Sequence, residues 1–360
     1  MNDFVEHRFP CQACGSDLRF DPTTSDLVCD HCGESEDIHV QSGKIYELDF
    51  RDALDAKLPS SEIEETRVSE CPNCGAQVEF DDVNHSTECP FCATPVVTGT
   101  GSHRHFKPKG LLPFALDERT ARGKMTDWLG ALWFAPNGLQ AYARKGRKMS
   151  GIYVPYWTFD ADTKSSYSGQ RGTHYYETKT VMRDGKRQQV RVRKTRWRRV
   201  TGRVARFFDD VLVLASKRLP KKFTENLEPW DLSELRPYSE EFLAGFRAEG
   251  YTIELPVGYE DAWAQMAKVI TRDVRFDVGG DAQRISNIDT DVRDVTFKHI
   301  LLPVWLAAYK YRGKTYRFVI NGRTGRVQGE RPYSFWKIFF AVVLGLIIAG
   351  CIGYVVAMNQ

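Results

Sequence analysis

The sequence lacks the feature that marks an exported protein. Its first nine residues, MNDFVEHRF, contain no apolar run, and a secretory signal peptide requires one. We therefore expect the soluble part of the chain to remain in the cytoplasm.

The sequence also lacks a motif for nucleotide chemistry or acid–base catalysis. Arg312-Gly313-Lys314-Thr315 resembles the end of a phosphate-binding loop, but Ala308 stands where the first glycine is needed. The residues that follow predict a strand with a turn at Asn321-Gly322, whereas a bound phosphate requires a helix N-terminus there. Asp209 and Asp210 have no neighbouring histidine or metal motif, and we interpret them as a turn. The sequence thus predicts a protein that is not an enzyme.

Formal charge is absent from residues 338–358, IFFAVVLGLIIAGCIGYVVAM. An uncharged apolar run of this length can span the ~30 Å hydrocarbon core of a bilayer as a helix. A buried core helix is the alternative, but it would need a partner for every face. We therefore predict a single C-terminal transmembrane helix at 336–358.

Basic residues lie just before this run: Arg323, Arg326, Arg331 and Lys337. Such residues favour a cytoplasmic flank. The predicted location is the cytoplasmic (inner) membrane, with a single-pass, C-terminal tail anchor and the bulk of the chain in the cytoplasm.

Small side chains recur every fourth residue along the apolar run, at Ala341, Gly345, Ala349, Gly353 and Ala357. On a helix this spacing makes a ridge that lets a second helix approach closely. We predict an oligomer, or pairing with another membrane protein, through this ridge.

Cysteine is nearly absent outside two quartets. Eight of the nine cysteines form two sets with the pattern C-x2-C-x14-C-x2-C, 60 residues apart: Cys11, Cys14, Cys29, Cys32, and Cys71, Cys74, Cys89, Cys92. Two C-x2-C turns joined by a β-hairpin supply four thiolates to one tetrahedral Zn²⁺. Disulfides are the alternative, but a chain in the reducing cytoplasm would not depend on them. Because four thiolates leave no open coordination position, we predict two structural zinc sites.

Acidic and basic residues are unevenly distributed along the chain. Residues 1–98 contain 6 Lys and Arg against 21 Asp and Glu, whereas residues 99–360 contain 44 against 26. Phosphate binding draws on Lys and Arg, so the acidic head that carries the cysteines is unsuited to nucleic acid. Its charge favours a role in protein contacts, or zinc sites whose only role is to stabilise a small folded module.

The predicted fold class is α+β, with two small four-cysteine zinc ribbons, a mixed antiparallel-sheet and helix body, and one C-terminal transmembrane helix. The predicted boundaries are 1–45 for zinc ribbon 1, 46–66 for an acidic linker, 67–100 for zinc ribbon 2, 110–333 for the body and 336–358 for the transmembrane helix.

The body shows signs of an internal duplication, with units at 150–215 and 298–330. Val154-Pro155-Tyr156-Trp157 aligns with Leu302-Pro303-Val304-Trp305, and proline in both runs predicts kinked or edge strands.

Capping signals predict helices in the body. One begins after Asp117 and stops before Pro136, with Trp133 in its apolar stripe. Another, in YSEEFLAGFRAEGY at 238–251, is capped by Ser239.

Acidic residues are nearly absent from residues 183–206, which contain eleven Lys and Arg and one acid, Asp184. One interpretation is a nucleic-acid surface with Trp197 as a stacking platform. A second is attraction to anionic lipid. The third is a solvated strand face, with Val190 and Val192 turned inward and the basic side chains in solvent or against the acidic head. The sequence leaves these three open.

Several stretches together carry a family resemblance: the two ribbons, GIYVPYWTFDA, FFDDVLV, PYSEEFLAGFRAEGY, FKHILLPVW and NGRTGRVQGERPYS. They resemble a bacterial family of double-zinc-ribbon membrane proteins, often labelled TFIIB-type zinc-finger proteins or primosomal protein N′ (replication factor Y) helicases. The resemblance covers nearly the whole chain and implies SPFH (flotillin-like) and phage-shock-protein-A-like envelope-stress partners. A helicase motor needs a phosphate loop and an acidic Mg²⁺-binding motif, and this sequence has neither.

From these features we expect a membrane-anchored zinc-ribbon adaptor or scaffold that recruits protein partners at the cytoplasmic membrane. The alternative is a membrane-tethered nucleic-acid-binding protein that is related to replication-restart helicases by its ribbons alone.

Overall fold

The computed structural model describes residues 9–38, 43–70, 77–79, 86–88, 95–97, 102–136, 149–183, 186–311 and 314–358. The strands in these ranges are β1 (Leu18–Asp21), β2 (Asp26–Cys29), β3 (Ser35–Glu36), β4 (Leu48–Asp49), β5 (Ile63–Glu70), β6 (Gln77–Glu79), β7 (Ser86–Glu88), β8 (Pro95–Val97), β9 (Ser102–Phe106), β10 (Gly110–Leu111), β11 (Ser150–Arg183), β12 (Lys186–Leu214), β13 (Arg236–Pro237), β14 (Arg247–Ala248), β15 (Ala282–Tyr311), β16 (Lys314–Asn321) and β17 (Val327–Gly329). The α-helices are α1 (Phe50–Leu54), α2 (Glu118–Ala131), α3 (Lys221–Glu225), α4 (Leu255–Val278) and α5 (Phe335–Met358), and short 3-10 turns occupy Ser60–Glu62, Leu232–Glu234 and Glu240–Leu243.

Three long antiparallel strands form the centre of the fold. β11 lies between β12 and β15, and it pairs with β15 as far as Gly172, which is opposite Ala282. We call residues 150–161 of β11 and the elements around them the base; β4, β10, β13, β14, β16 and β17 join the sheet there or close to it. This mixture of sheet and helices confirms the predicted α+β body.

The arm is the part of the sheet that projects from the base. It comprises residues 162–183 of β11, 186–207 of β12 and 282–293 of β15. At ~3.3 Å per residue its longest strand extends roughly 70 Å. Two β-bulges flank β11 where the arm begins, and Asp210 and Asp294 have a φ of 50° there, which short polar residues tolerate better than most.

The helix α4 covers one face of the arm. Its buried residues Ala262, Met266, Ile270 and Val274 recur every four positions and join a cluster that includes Tyr167 of the arm. The Tyr167 hydroxyl donates to the Asp277 carboxylate at 2.6 Å. Beyond Gly172 the arm continues as two strands that no other element covers within the described ranges.

The two proline-containing runs are direct neighbours in the base, with Val154 opposite Leu302. Pro155 and Pro303 lie in interior strands of the sheet and not at its edge. A proline removes only the N–H donor, and both carbonyls still accept hydrogen bonds, from the N–H groups of Ala215 and Gly322. The expectation of an edge strand is therefore corrected.

The helix α2 confirms the predicted cap. The Asp117 side chain accepts the N–H of Thr120 at 2.8 Å, and Met125 and Leu129 are buried against the base. The helix ends at Ala131, however, and leaves Trp133 77% exposed.

The segment around Ser239 differs from its prediction. It forms a single 3-10 turn at Glu240–Leu243 and not a helix through residue 251. Gly245 follows with a φ of 78°, a left-handed conformation that interrupts a right-handed helix.

The helix α5 is apolar and long enough to cross a membrane, and none of the window Phe335–Val356 is buried in the rest of the protein. It starts at the base, because the N–H of Ser334 donates to the carbonyl of Phe134, just after α2, at 2.7 Å. The helix therefore begins beside the base.

Candidate metal centre

The first cysteine quartet converges on one point. The Cys11 and Cys32 sulfurs are 3.6 Å apart, and the Cys14 and Cys29 sulfurs are 3.5 Å apart. All four sulfurs lie within 4.8 Å of one another. Four thiolates around a tetrahedral zinc ion at ~2.3 Å are separated by about 3.8 Å, so this donor set can hold one metal ion.

The sequence builds the quartet from two similar turns at the ends of a β-hairpin. Gly15 and Gly33 each follow a C-x2-C pair, and their φ angles are 73° and 77°. Their N–H groups donate to the carbonyls of Cys11 and Cys29 at 2.8 and 2.9 Å. Each glycine permits the left-handed residue that closes the turn, and the β1–β2 hairpin brings the two turns together.

Hydrogen bonding makes the four thiols unequal. Ser16 favours the charged form of Cys14 and lowers its pKa to about 6. The N–H of Glu34 favours the Cys32 thiolate, but the crowded neighbouring cysteines outweigh it and raise the pKa of Cys32 to about 12. A divalent cation at the centre would stabilise all four as thiolates. The chemistry of this donor set therefore fits a zinc ion.

The hairpin that carries the quartet is packed into the base. The Phe20 ring lies 5.4 Å from that of Phe242 and 6.3 Å from that of Phe246, and the Phe20 N–H donates to the Ala244 carbonyl at 3.0 Å. A side chain on Gly245 would meet Arg19 at 2.9 Å. No local sequence pattern indicates this docking, because Phe20 and Phe242 are 222 positions apart.

The second quartet, Cys71, Cys74, Cys89 and Cys92, lies outside the described residues. Short pieces of strand between and around these cysteines are described: β6 pairs with β5, and β7 pairs with β8. The second zinc site remains a prediction.

A group of charged side chains that the sequence analysis missed lies where the base meets the arm. The Lys298 ammonium is 2.8 Å from carboxylate oxygens of Glu47 and of Asp210. Asp160 accepts the N–H of Asp210 at 2.7 Å. The three carboxylates could together hold a metal ion, but the ammonium already stands among them and offsets part of their charge. We interpret the group as a structural ion-pair network that holds the segment before β4 against the central sheet.

The two adjacent acids interpreted as a turn are separated by the structure. Asp209 is exposed, whereas Asp210 belongs to the Lys298 group. They lie at the β-bulge opposite Asp160, so the interpretation as a turn is corrected to a bulge.

The Lys298 group predicts a pH-dependent stability. Burial raises the pKa of Asp160 to about 7, and the neighbouring Glu47 carboxylate adds to the shift. A carboxyl whose pKa is higher in the folded state binds its proton more tightly there, so it stabilises the fold at low pH and this stability is lost as the pH rises towards 7.

We expect Asp160→Asn to remove this contribution, because an amide occupies the same space without titrating. Between pH 5 and pH 8 the free energy of unfolding of the wild type should fall by on the order of 2 kcal/mol more than that of the variant. Urea unfolding at the two pH values measures the difference. Parallel pH dependence in the two proteins would show that Asp160 is ionised throughout.

Comparison with known proteins shows a distant relative. The chain is 24% identical over 332 residues to YdjG of Bacillus subtilis (strain 168), a protein described as uncharacterized, and the match covers 92% of this chain and 91% of YdjG. No protein-family model matches the chain. No solved structure matches it either.

Proposed function

We propose that this protein is a membrane-anchored zinc-ribbon adaptor that recruits protein partners at the cytoplasmic face of the inner membrane. In this proposal the zinc ions are structural, α5 is a single-pass tail anchor, and the bulk of the chain lies in the cytoplasm. The arm is the observation that carries the proposal, because a projection of this length presents a surface far from the base.

The surface of the arm suits contact with another protein. Tyr176 is 61% exposed and Met182 is 68% exposed. The Arg191 guanidinium lies 5.3 Å from the centre of the Tyr176 ring, and that of Arg196 lies 5.4 Å from the centre of the Tyr175 ring. Tyrosine, methionine and arginine are enriched at protein–protein interfaces. On the two-stranded part of the arm these side chains are exposed, so they contribute little buried surface to the stability of the fold.

The position of the arm argues against lipid as its partner. The hairpin end at Arg183 is 33 residues along β11 from Ser150 at the base, a distance of up to about 110 Å. Because α5 starts at the base, we propose that a membrane around α5 lies against the base and not against the arm tip. In this proposal the exposed arginines of the arm, Arg191, Arg193, Arg196 and Arg198, contact soluble partners.

The resemblance noted in the sequence supplies the class of partner. We propose SPFH (flotillin-like) or phage-shock-like proteins at the membrane, with a role in envelope stress. The acidic head and its ribbons would add a second protein-binding surface. The small-residue ridge of Ala341, Gly345, Ala349, Gly353 and Ala357 would pair α5 with a second copy or with another membrane helix.

A second candidate is nucleic-acid binding by the arm, favoured by its eleven Lys and Arg in residues 183–206. One observation weakens it. The Arg284 guanidinium lies 4.0 Å from the centre of the Trp197 ring, so it already covers one face of the side chain that would stack on a base.

A charge-neutralised arm tests the proposal. The variant replaces Arg191, Arg193, Arg196 and Arg198 by Gln. We expect it to recover at least ~10-fold less partner protein from nuclease-treated membranes, because the loss of an interface arginine can weaken binding several-fold. The matched control variant should retain the partners. It replaces four exposed cations that lie outside the strands of the arm: Lys217, Lys222, Lys268 and Arg272. Salt-sensitive DNA binding that only the arm variant loses, with protein recovery unchanged, would favour the second candidate.

A further inference from the structure

An exposed aromatic cluster surrounds the point where α5 leaves the base. Its members come from two segments of the chain: Trp133 (77% exposed), Phe134 (41%), Tyr333 (58%), Phe335 (73%) and Trp336 (65%). A soluble surface rarely gathers so many large aromatic side chains in one place without a partner.

The two segments are held together by the backbone. The N–H of Ser334 donates to the carbonyl of Phe134 at 2.7 Å, and the N–H of Ile338 donates to the Ser334 carbonyl at 3.1 Å. The second bond begins the helical pattern of α5 directly after the contact with Phe134. The aromatic residues after α2 therefore lie beside the first turn of α5, with no free linker between the base and the helix.

The α2 segment is fixed on its other side by the core of the base. Leu129 and Ala135 are 3% and 4% exposed and join the same buried cluster, and the N–H of Ala135 donates to the Leu132 carbonyl at 3.0 Å. The exposed Trp133 thus lies between two buried anchor points, so its exposure is not that of a loose chain end.

Two basic residues belong to the same segment as the aromatic cluster. The Arg331 guanidinium lies 5.3 Å from the centre of the Tyr333 ring, and Lys337 is in the first turn of α5. The other two cations before the helix are used within the body: Arg323 pairs with Glu234 at 3.3 Å, and Arg326 donates to the Glu228 carbonyl.

We propose that this cluster is a membrane-interface seat: Trp133, Phe134, Tyr333, Phe335 and Trp336 lie in the headgroup layer of the bilayer that α5 enters, and they hold the base against it. The proposal rests on the proposed membrane anchoring. Indole and phenol rings favour the interfacial layer, where one end of the ring is wet and the other is apolar, and basic side chains are attracted to anionic headgroups.

Continuity with α5 identifies lipid as the occupant. The apolar window of 22 residues begins at Phe335 and spans ~33 Å at 1.5 Å per residue. This matches the hydrocarbon core of ~30 Å, with the interfacial layers outside it. Trp133 precedes Phe134, whose carbonyl accepts the N–H of Ser334 directly before this window, so the proposal assigns Trp133 to the headgroup layer.

Site-specific photo-crosslinking in native membranes tests the seat. A benzophenone amino acid replaces one residue at a time: Trp133 in the seat, Val342 within α5 as the positive control, and Phe276 as the matched negative control. Phe276 is an aromatic residue of α4 that is 90% exposed, and the next residue, Asp277, accepts the hydroxyl of Tyr167 in the arm. All three positions are exposed, so the substitutions leave the core intact. Mass spectrometry of the purified protein then detects lipid adducts.

We expect lipid adducts from positions 133 and 342 and at least ~10-fold fewer from position 276. Adducts from 342 with none from 133, or an adduct between 133 and a second copy of the chain, would overturn the seat and leave the anchor intact. Absence of lipid adducts from both 133 and 342 would overturn the membrane anchoring as well.

Discussion

Replacing Cys29 with serine should lower the zinc content of the purified protein from two ions to one per chain and its melting temperature by about 10 °C. Cys29 is 1% exposed and belongs to the same buried cluster as Phe20 and Phe242, so a ribbon without metal also loosens the base. A ligand present at 1,000 times its dissociation constant stabilises the folded state by about 4 kcal/mol. For a body of this size each kcal/mol changes the melting temperature by roughly 2–4 °C.

Two further variants separate metal binding from ribbon docking. Phe20→Ala removes the ring that packs on Phe242 and Phe246, and it should cost about 3–5 kcal/mol while both zinc ions are retained. Cys351→Ser, in α5, should change neither quantity. Metal analysis by atomic emission and a thermal melt in detergent give both readouts. An unchanged content of two zinc ions in Cys29→Ser would show that the ligand assignment is wrong.

A chain that stops at Ser334 should leave the membrane fraction almost completely. The window Phe335–Val356 contributes nothing to the packing of the base, so its removal should leave the body folded and the zinc content unchanged. Burial of about 20 apolar residues in lipid contributes far more to the free energy of membrane binding than a few interfacial aromatic side chains do. Alkaline extraction of membranes, followed by detection of the chain in pellet and supernatant, measures the result.

The matched control for this truncation is Val342→Leu, which keeps an apolar side chain in the middle of α5 and should stay in the pellet. If the truncated chain also stayed in the pellet, the base or the arm would hold the protein at the membrane, and α5 would not be the anchor.

Features set by neighbouring residues were predictable from the sequence. The cap of α2 depends on Asp117 and Thr120, three positions apart. The convergence of the first cysteine quartet depends on two C-x2-C turns and one hairpin, and α5 depends on an unbroken apolar run. Each uses short-range geometry, so composition and spacing are sufficient.

Features set by distant residues were not predictable in this way. The Lys298 group joins Glu47 to a lysine 251 positions later, and nothing in the local pattern indicates that contact. A Cβ atom added to Gly258 would lie only 2.6 Å from the Trp157 ring. The position of α4 on the sheet thus also depends on a contact between residues that are distant in sequence. The predicted helix after Ser239 fails for a related reason, because Gly245 has a left-handed φ of 78° where it lies against Arg19 of the docked hairpin.

Trp133 illustrates how a local pattern can mislead. Its spacing from Met125 and Leu129 places it on the apolar stripe of α2, but the helix ends two residues before it. The same apolar character that predicts burial in the core then fits burial in the membrane interface. A sequence pattern indicates that a side chain avoids water, without indicating which apolar partner it meets.

The most direct test of the account is crosslinking in living cells from the arm itself. A benzophenone amino acid at Tyr176, which is 61% exposed, is activated by light, and the membrane fraction is purified with and without nuclease before mass spectrometry. We expect adducts with specific proteins that persist after nuclease treatment and disappear in the arm variant with its four arginines replaced. Adducts with nucleic acid, or protein recovery that nuclease abolishes, would contradict the adaptor and establish the arm as a nucleic-acid-binding surface.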